Sequence, residues 1–197
     1  MLLAPDPSIR VASTLLRCRA GSGSISAMAA GTRVECPQCG ALVPDIDGPV
    51  HRYLPAAPGC WKTFGEVQAD ELQRFGYSPA HRLVVDAYMA QHPGDGSDRR
   101  DRQSVFAHLC GLYTRLERDL PAAASTNVVG RIAASREDFP VLRRDDGPGR
   151  LTILDMIGSR DVDIYEQRAR TWGEAVWQSW TSHHGKIVMA VSDVGGA

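Results

Sequence analysis

Cys36-Pro-Gln-Cys39-Gly-Ala-Leu-Val-Pro-Asp-Ile-Asp-Gly-Pro-Val-His51-Arg-Tyr-Leu-Pro-Ala-Ala-Pro-Gly-Cys60-Trp61 is the stretch on which the fold turns. Two thiols two residues apart with a glycine behind them form the tight knuckle that grips half of a tetrahedral metal site. Gly40 can take the positive φ such a turn needs just beyond the second sulfur. His51 and Cys60 are the nearest soft ligands downstream, so the spacing proposes Cys36, Cys39, His51 and Cys60 as a zinc set. Cys60 also precedes a helix start, where the macrodipole favours a thiolate. From Thr32 to Cys60 the chain carries Pro37, Gly40, Pro44, Gly48, Pro49, Pro55, Pro58 and Gly59. So many breakers forbid a long helix and fit a small loop module that needs an ion in place of apolar mass. Short strands around Val34 and around Val50–Leu54 are compatible with this segment.

Beyond Cys60 the periodicity turns helical. Trp61, Phe64, Val67 and Leu72 mark a first helix to Phe75, stopped at Gly76. Ser78-Pro79 supplies an N-cap and N1 pair for a second, ended at His92 by Pro93-Gly94. It is apolar around most of its girth, which marks a central, buried helix. A third runs from Arg102 to Arg118, with Val105, Leu109, Leu112 and Leu116 on one stripe. Residues 120–150 read as connection with one short helix inside, and Thr152-Ile-Leu-Asp155 reads as a capped short helix. A long last helix is expected from about Val162 to about Val191. The fold class is therefore mainly α, a bundle of about four main helices with a zinc-knuckle-like loop module at its N-terminal edge. The expected organisation is an extension over 1–30, the CxxC module over 31–61 and a helical domain over 62–197 packed with it.

Residues 1–30 mix Pro, Ser, Gly and Ala with three arginines and show no periodicity. They are read as disordered, or as preceding a true start at Met28; Arg10, Arg17 and Arg19 interrupt any secretory core. The 197 residues are 43% hydrophobic and 23% charged, with a formal net charge of −1. That balance gives no electrostatic reason for a nucleic-acid or membrane partner, and the arginines at 99, 100 and 102 alternate with Asp98 and Asp101. No apolar run approaches the roughly 20 residues a bilayer requires. Five cysteines, an odd number that includes a CxxC pair, argue for a reducing, cytoplasmic setting rather than a disulfide scaffold. Cys110, inside an apolar helical stretch, is expected to be a small buried hydrophobe.

The stretches CPQCGA (36–41), HRYLPAAPGCW (51–61), HRLVVDAYMAQHPG (81–94), SVFAHLCGLYTRLE (104–117) and WGEAVWQSWTSHH (172–184) together resemble domain-of-unknown-function family 5946. The resemblance covers most of the chain from Cys36 onward. It implies that the loop-plus-helices body is the folded unit, with residues 1–30 outside it, and it carries no activity.

Five of the six histidines fall on the helical part. His81 and His92 share a face of the second helix but stand roughly 16 Å apart along it, too far to hold one ion. A cluster of His92, His108 and His183 with Asp86 or Gln91 would be analogous to the metal site of DinB-like helical proteins, although no HxxxH pair is present. The alternative is that these histidines are hydrogen-bonded core or edge groups and that Asp86 pairs with a nearby arginine. Trp172, Trp177 and Trp180, at helical spacing, belong to a core before they belong to a ligand pocket. No nucleophile elbow, P-loop or dinucleotide fingerprint occurs.

Two functions are thereby expected. The first is a zinc-stabilised helical domain acting as a binding or adaptor module for a protein or small ligand. The second is a metal-dependent hydrolase or transferase, its further metal held by the helical histidines.

Overall fold

The computed structural model describes residues 31–134, 138–147 and 149–195. The expectation for residues 1–30, and Cys18 with it, lies outside the described residues. Strands β1 (Arg33–Glu35) and β2 (Leu42–Pro44) pair antiparallel on either side of the Cys36–Gly40 turn, with Val34 opposite Val43. The second strand thus forms directly behind the knuckle and not at Val50–Leu54. Alternation explains it: Val43 is buried between exposed Leu42 and Pro44, whereas 50–55 is bracketed by prolines that cannot donate to a ladder.

Helix α1 (Pro58–Phe75) opens with its proline in the first turn and closes at Gly76, whose φ of 69° suits only glycine comfortably. Its buried face carries Cys60, Phe64, Val67 and Glu71. Gly59 is a strict requirement: a Cβ there would lie 2.1 Å from the Pro44 carbonyl oxygen, so β2 rests directly on the helix start. Helix α2 (His81–Gln91) begins after the expected Ser78-Pro79 pair. The Ser78 hydroxyl accepts from the Ala80 amide at 3.2 Å, as a helix-start residue does, and also donates to the buried Glu71 carboxylate at 2.6 Å. Helix α3 (Arg99–Leu116) starts earlier than expected because Asp98 caps it, accepting from the Arg100 amide at 2.7 Å. Helix α2 packs most extensively on α3, which also touches every later helix.

Six α-helices form among the described residues rather than four main ones. One addition is α4 (Ala122–Ala134), with Ser125, Val128, Val129 and Ile132 on its buried stripe. The other comes from the last helix, which breaks into α5 (Val162–Gln178), a 3-10 turn (Thr181–His183) and α6 (His184–Gly195). Gly173 lies inside α5 and Gly185 inside α6, so neither glycine causes the break. The Ser179 hydroxyl bonds back to the Val176 carbonyl at 2.7 Å, and the Asp145 amide takes the Ser179 carbonyl at 2.9 Å. Asp145 then accepts from the Ser182 amide at 2.8 Å, so a loop residue ends one helix and starts the next. The corner places Trp180 in the core with Trp172 and Trp177, as their spacing suggests. Between α4 and α5, Thr152 and Asp155 close the expected capping box around a 3-10 turn (Ile153–Met156). No helix of the described residues is long and apolar enough to cross a membrane.

Candidate metal centre

Three elements deliver four ligands. The Cys36–Gly40 turn is closed by the Gly40 amide on the Cys36 carbonyl and the Cys36 amide on the Ala41 carbonyl, both at 2.9 Å, with Gly40 at φ 73°. Cys36 and Cys39 therefore project to one side. Cys60 stands in the first turn of α1, and His92 ends α2. Cys36, Cys39, Cys60 and His92 are all buried, and their ligand atoms lie within 4.8 Å of one another. Zinc bound to three sulfurs and one nitrogen requires tetrahedron edges of about 3.8 Å between sulfurs and about 3.5 Å from sulfur to nitrogen. The Cys39–Cys60 sulfurs are 3.8 Å apart, and His92 Nε2 lies 3.6 Å from the Cys36 sulfur and 3.4 Å from the Cys60 sulfur. The spacing fits the ion.

The surrounding groups fix these ligands. His92 Nδ1 donates to the Tyr88 carbonyl at 2.7 Å, leaving the Nε2 lone pair for the centre. The Tyr88 ring packs on the His92 ring at 4.1 Å, and its hydroxyl reaches the Cys60 sulfur at 3.5 Å. Phe64 stacks on the other side of Tyr88 at 4.1 Å, and Trp61 follows at 5.4 Å from Phe64. This row of rings excludes water. Half-buried Arg144 reaches in from the loop before the 153–156 turn. It donates to the Gln38 carbonyl at 2.7 Å and to the Gln91 carbonyl at 3.1 Å, clamping the knuckle to the end of α2. Gln91 is itself held by the Leu151 carbonyl at 2.8 Å and the Trp172 indole at 3.3 Å.

The thiols share one negative charge. Sulfur hydrogen bonds, first from Cys39 and then from Cys60, hold the Cys36 thiol far below its ordinary range. With Cys36 as the acceptor, Cys39 is pushed up to about 11, and Cys60 is pushed up further by Cys36, Cys39 and burial. The protein alone thus stabilises one thiolate and two thiols. Ionising all three needs a cation among them.

His51 does not join the set. It is exposed, its Nδ1 accepts from the Tyr53 amide at 3.3 Å, and its ring packs on the outer side of Trp61 at 5.5 Å. Its own turn holds it there, and His92 takes the fourth corner. That ligand sits 32 and 56 residues from Cys60 and Cys36, a separation no local spacing reveals. The one signal available was a histidine at a helix end broken by Pro93-Gly94.

The helical histidines do not converge on a second centre. His92 belongs to the cysteines. His108 Nδ1 meets the buried Asp86 carboxylate at 2.7 Å, where Arg82 also donates at 2.9 Å, so Asp86 has its arginine. His183 Nε2 donates to the Arg143 carbonyl at 2.9 Å, and His184 stacks on Trp177 at 3.6 Å. Among the described residues the three-cysteine, one-histidine group is the cluster suited to a metal. Cys110 is fully buried, and burial pushes its thiol up, as an inert core group requires.

A groove of about 710 Å³ adjoins the centre, lined by Gln38, residues 50–55, Pro93, Gly94 and residues 142–144 among others. Its walls are the chain segments that the four ligands tie together.

The model of a family of unknown function matches residues 34–181. No curated protein and no solved structure matches the chain.

Proposed function

The chain belongs to that family, DUF5946, and from this premise we propose that it is a zinc-fastened helical binding module. The observation that carries the proposal is the tetrahedral spacing of four buried ligands drawn from the knuckle, α1 and α2. Four protein ligands leave no open coordination position, so the ion is structural. It joins the β1–β2 turn to the start of α1 and the end of α2, adding to the packing of β2 on Gly59 and of Phe64 on Tyr88. Its second effect is on the groove. Residues 50–55 lie on the segment strung between Cys39 and Cys60, and Pro93-Gly94 follows His92 directly. Fixing the ligands fixes both walls, and a shaped, mixed-polarity groove is what a binding module presents. Three thiols gathered for one ion favour a setting where thiols stay reduced, such as cytoplasm. A catalytic second metal would need His92, His108, His183 and Asp86 together, and the fold keeps His92 with the cysteines, pairs His108 with Asp86 and turns His183 to the Arg143 carbonyl.

Elemental analysis of protein dialysed against metal-free buffer tests the proposal. One zinc per chain is expected, retained in His51→Ala and lost in Cys36→Ser and His92→Ala. Native protein without metal, or loss in His51→Ala with retention in His92→Ala, would refute it.

A further inference from the structure

A second groove, of about 690 Å³, opens between the α1–α2 turn, the C-terminal end of α3 and the start of α4. Its polar lining is one-sided. His81, Arg82 and Arg115 contribute cationic or cation-forming groups, and no described lining residue is acidic. The groove beside the metal centre, by contrast, includes Asp95, Asp101 and Asp146.

Arg115 is the decisive group. It is anchored by carbonyls, donating to Leu120 and, at 3.2 Å, to Pro79, and no described carboxylate pairs with it. Its Nε is buried without a partner. Arg82 is restrained by Asp86 at 2.9 Å. His81 is fixed by Glu71, whose Oε2 takes Nδ1 at 2.9 Å. Glu71 is buried and held in turn by the Ser78 hydroxyl at 2.6 Å and the Tyr165 hydroxyl at 3.1 Å. The imidazole is therefore oriented from behind, with Nε2 on its far side and 29% of the side chain exposed. The first residues of α4, Pro121 to Ala123, complete the basic side: the Ser125 amide bonds the Pro121 carbonyl, proline offers no side-chain cap, and no acid lies in the first turn. The rest of the lining includes apolar Pro79, Val85 and the Tyr77 ring, which is 71% exposed and packs edge-on against His81 at 4.6 Å.

We infer that this groove binds a phosphomonoester with a small aromatic or apolar body. Donors approach from α3, from α2 and from the start of α4. Three directions suit the three terminal oxygens of a phosphate better than the two of a carboxylate. The His81 ring, fixed at Nδ1 by Glu71, leaves Nε2 for the phosphate. The body lies along Tyr77 and Val85.

Phenyl phosphate, titrated into the full chain and followed by amide chemical shifts and calorimetry, tests the inference. Saturable shifts are expected at His81, Arg115 and Ala122–Ala124. Arg115→Lys is expected to weaken binding at least about 5-fold, because the planar fork is lost. Ala123→Glu places a carboxylate in the groove at an exposed helix start that tolerates it, and is expected to weaken binding at least about 10-fold with the fold intact. Benzoate binding as tightly as phenyl phosphate would overturn the phosphate assignment. Inorganic phosphate binding as tightly would overturn the role of the apolar lining. Shifts confined to the Arg52–Arg143 groove, or an unchanged affinity in Ala123→Glu, would overturn the site itself.

Discussion

His92 donates its Nδ1 proton to the carbonyl of Tyr88, one helical turn earlier, at 2.7 Å. That bond is made by the last ordinary turn of α2, so the helix selects the tautomer and aims Nε2 at the Cys36 and Cys60 sulfurs. The metal centre is thus continuous with helical geometry on one side and with a two-stranded turn on the other. Its dependence on protons follows.

Metal loading should rise steeply with pH. The ion requires three thiolates, and the metal-free cluster holds two of its thiols protonated, with Cys39 raised to about 11 and Cys60 raised as well. Loading therefore releases about two protons at neutral pH, and apparent affinity should climb about 100-fold per pH unit below that range. Below the unfolded thiol value the depressed Cys36 makes the metal-free fold, too, gain stability with pH, and above that value the raised thiols reverse the sign. A thiol whose folded pKa lies above its unfolded value stabilises the fold below the unfolded value, about 8.5. That contribution is lost as pH rises through about 11 for Cys39. Chelator competition between pH 6 and 8, beside alkaline unfolding of stripped protein, checks both. A flat affinity profile would contradict the shared-charge account.

Arg144→Gln should weaken metal binding roughly 10- to 100-fold, the scale of losing an outer group that positions ligands. The guanidinium spans the Gln38 and Gln91 carbonyls, and Gln amide geometry cannot reach both. Burial lowers the Arg144 pKa, and ionised Cys39 supports the cation, so once metal loading makes Cys39 a thiolate the Arg144 charge also offsets a three-thiolate centre. Arg143→Gln, at the exposed neighbouring position, serves as the control and should leave affinity unchanged. Equal affinities in the two variants would remove Arg144 from the centre.

Gly111 and Asp86 should behave as one unit. A Cβ on Gly111 would lie 2.1 Å from Asp86 Oδ2, so α3 leaves a gap that the buried carboxylate fills. Gly111→Ala alone should cost roughly 3 kcal/mol by forcing that carboxylate off Arg82 and His108. Combined with Asp86→Ala the steric conflict disappears, and the double variant should be more stable than the sum of the singles by at least about 1 kcal/mol. Denaturant unfolding of the four proteins measures the coupling, and additive losses would disprove it.

What the sequence made readable was local. The Cys36–Gly40 turn, the Thr152–Asp155 capping box and the burial of the tryptophans all rest on spacings of a few residues, and each has its place in the fold. His51 was proposed for the fourth corner because proximity along the chain was the only measure at hand. His92 reaches it because α2 packs beside the start of α1, a relationship invisible in either segment alone. Ser78 shows both sides: its bond to the Ala80 amide is local and legible, whereas its second bond, to Glu71 seven residues earlier, depends on how α1 and α2 pack. The break after Gln178 also originates elsewhere, in a loop residue that periodicity cannot include.

That loop residue is Asp145, and its removal should loosen the corner between α5 and α6. Its carboxylate accepts from the Ser182 amide and hydroxyl, which hold its pKa below the usual carboxylate range, while its own amide bonds the Ser179 carbonyl. Asp145→Ala deletes the side-chain contacts and keeps the backbone one. The variant should lose stability, as when other helix-start caps are removed. Asp145→Asn, which retains an acceptor, should recover most of it. The location of the effect is the sharper test: hydrogen exchange should accelerate at Ser182, His183 and His184 while the amides of α2 keep their protection. Uniform acceleration across the chain would mean that Asp145 supports global stability and does not set the corner.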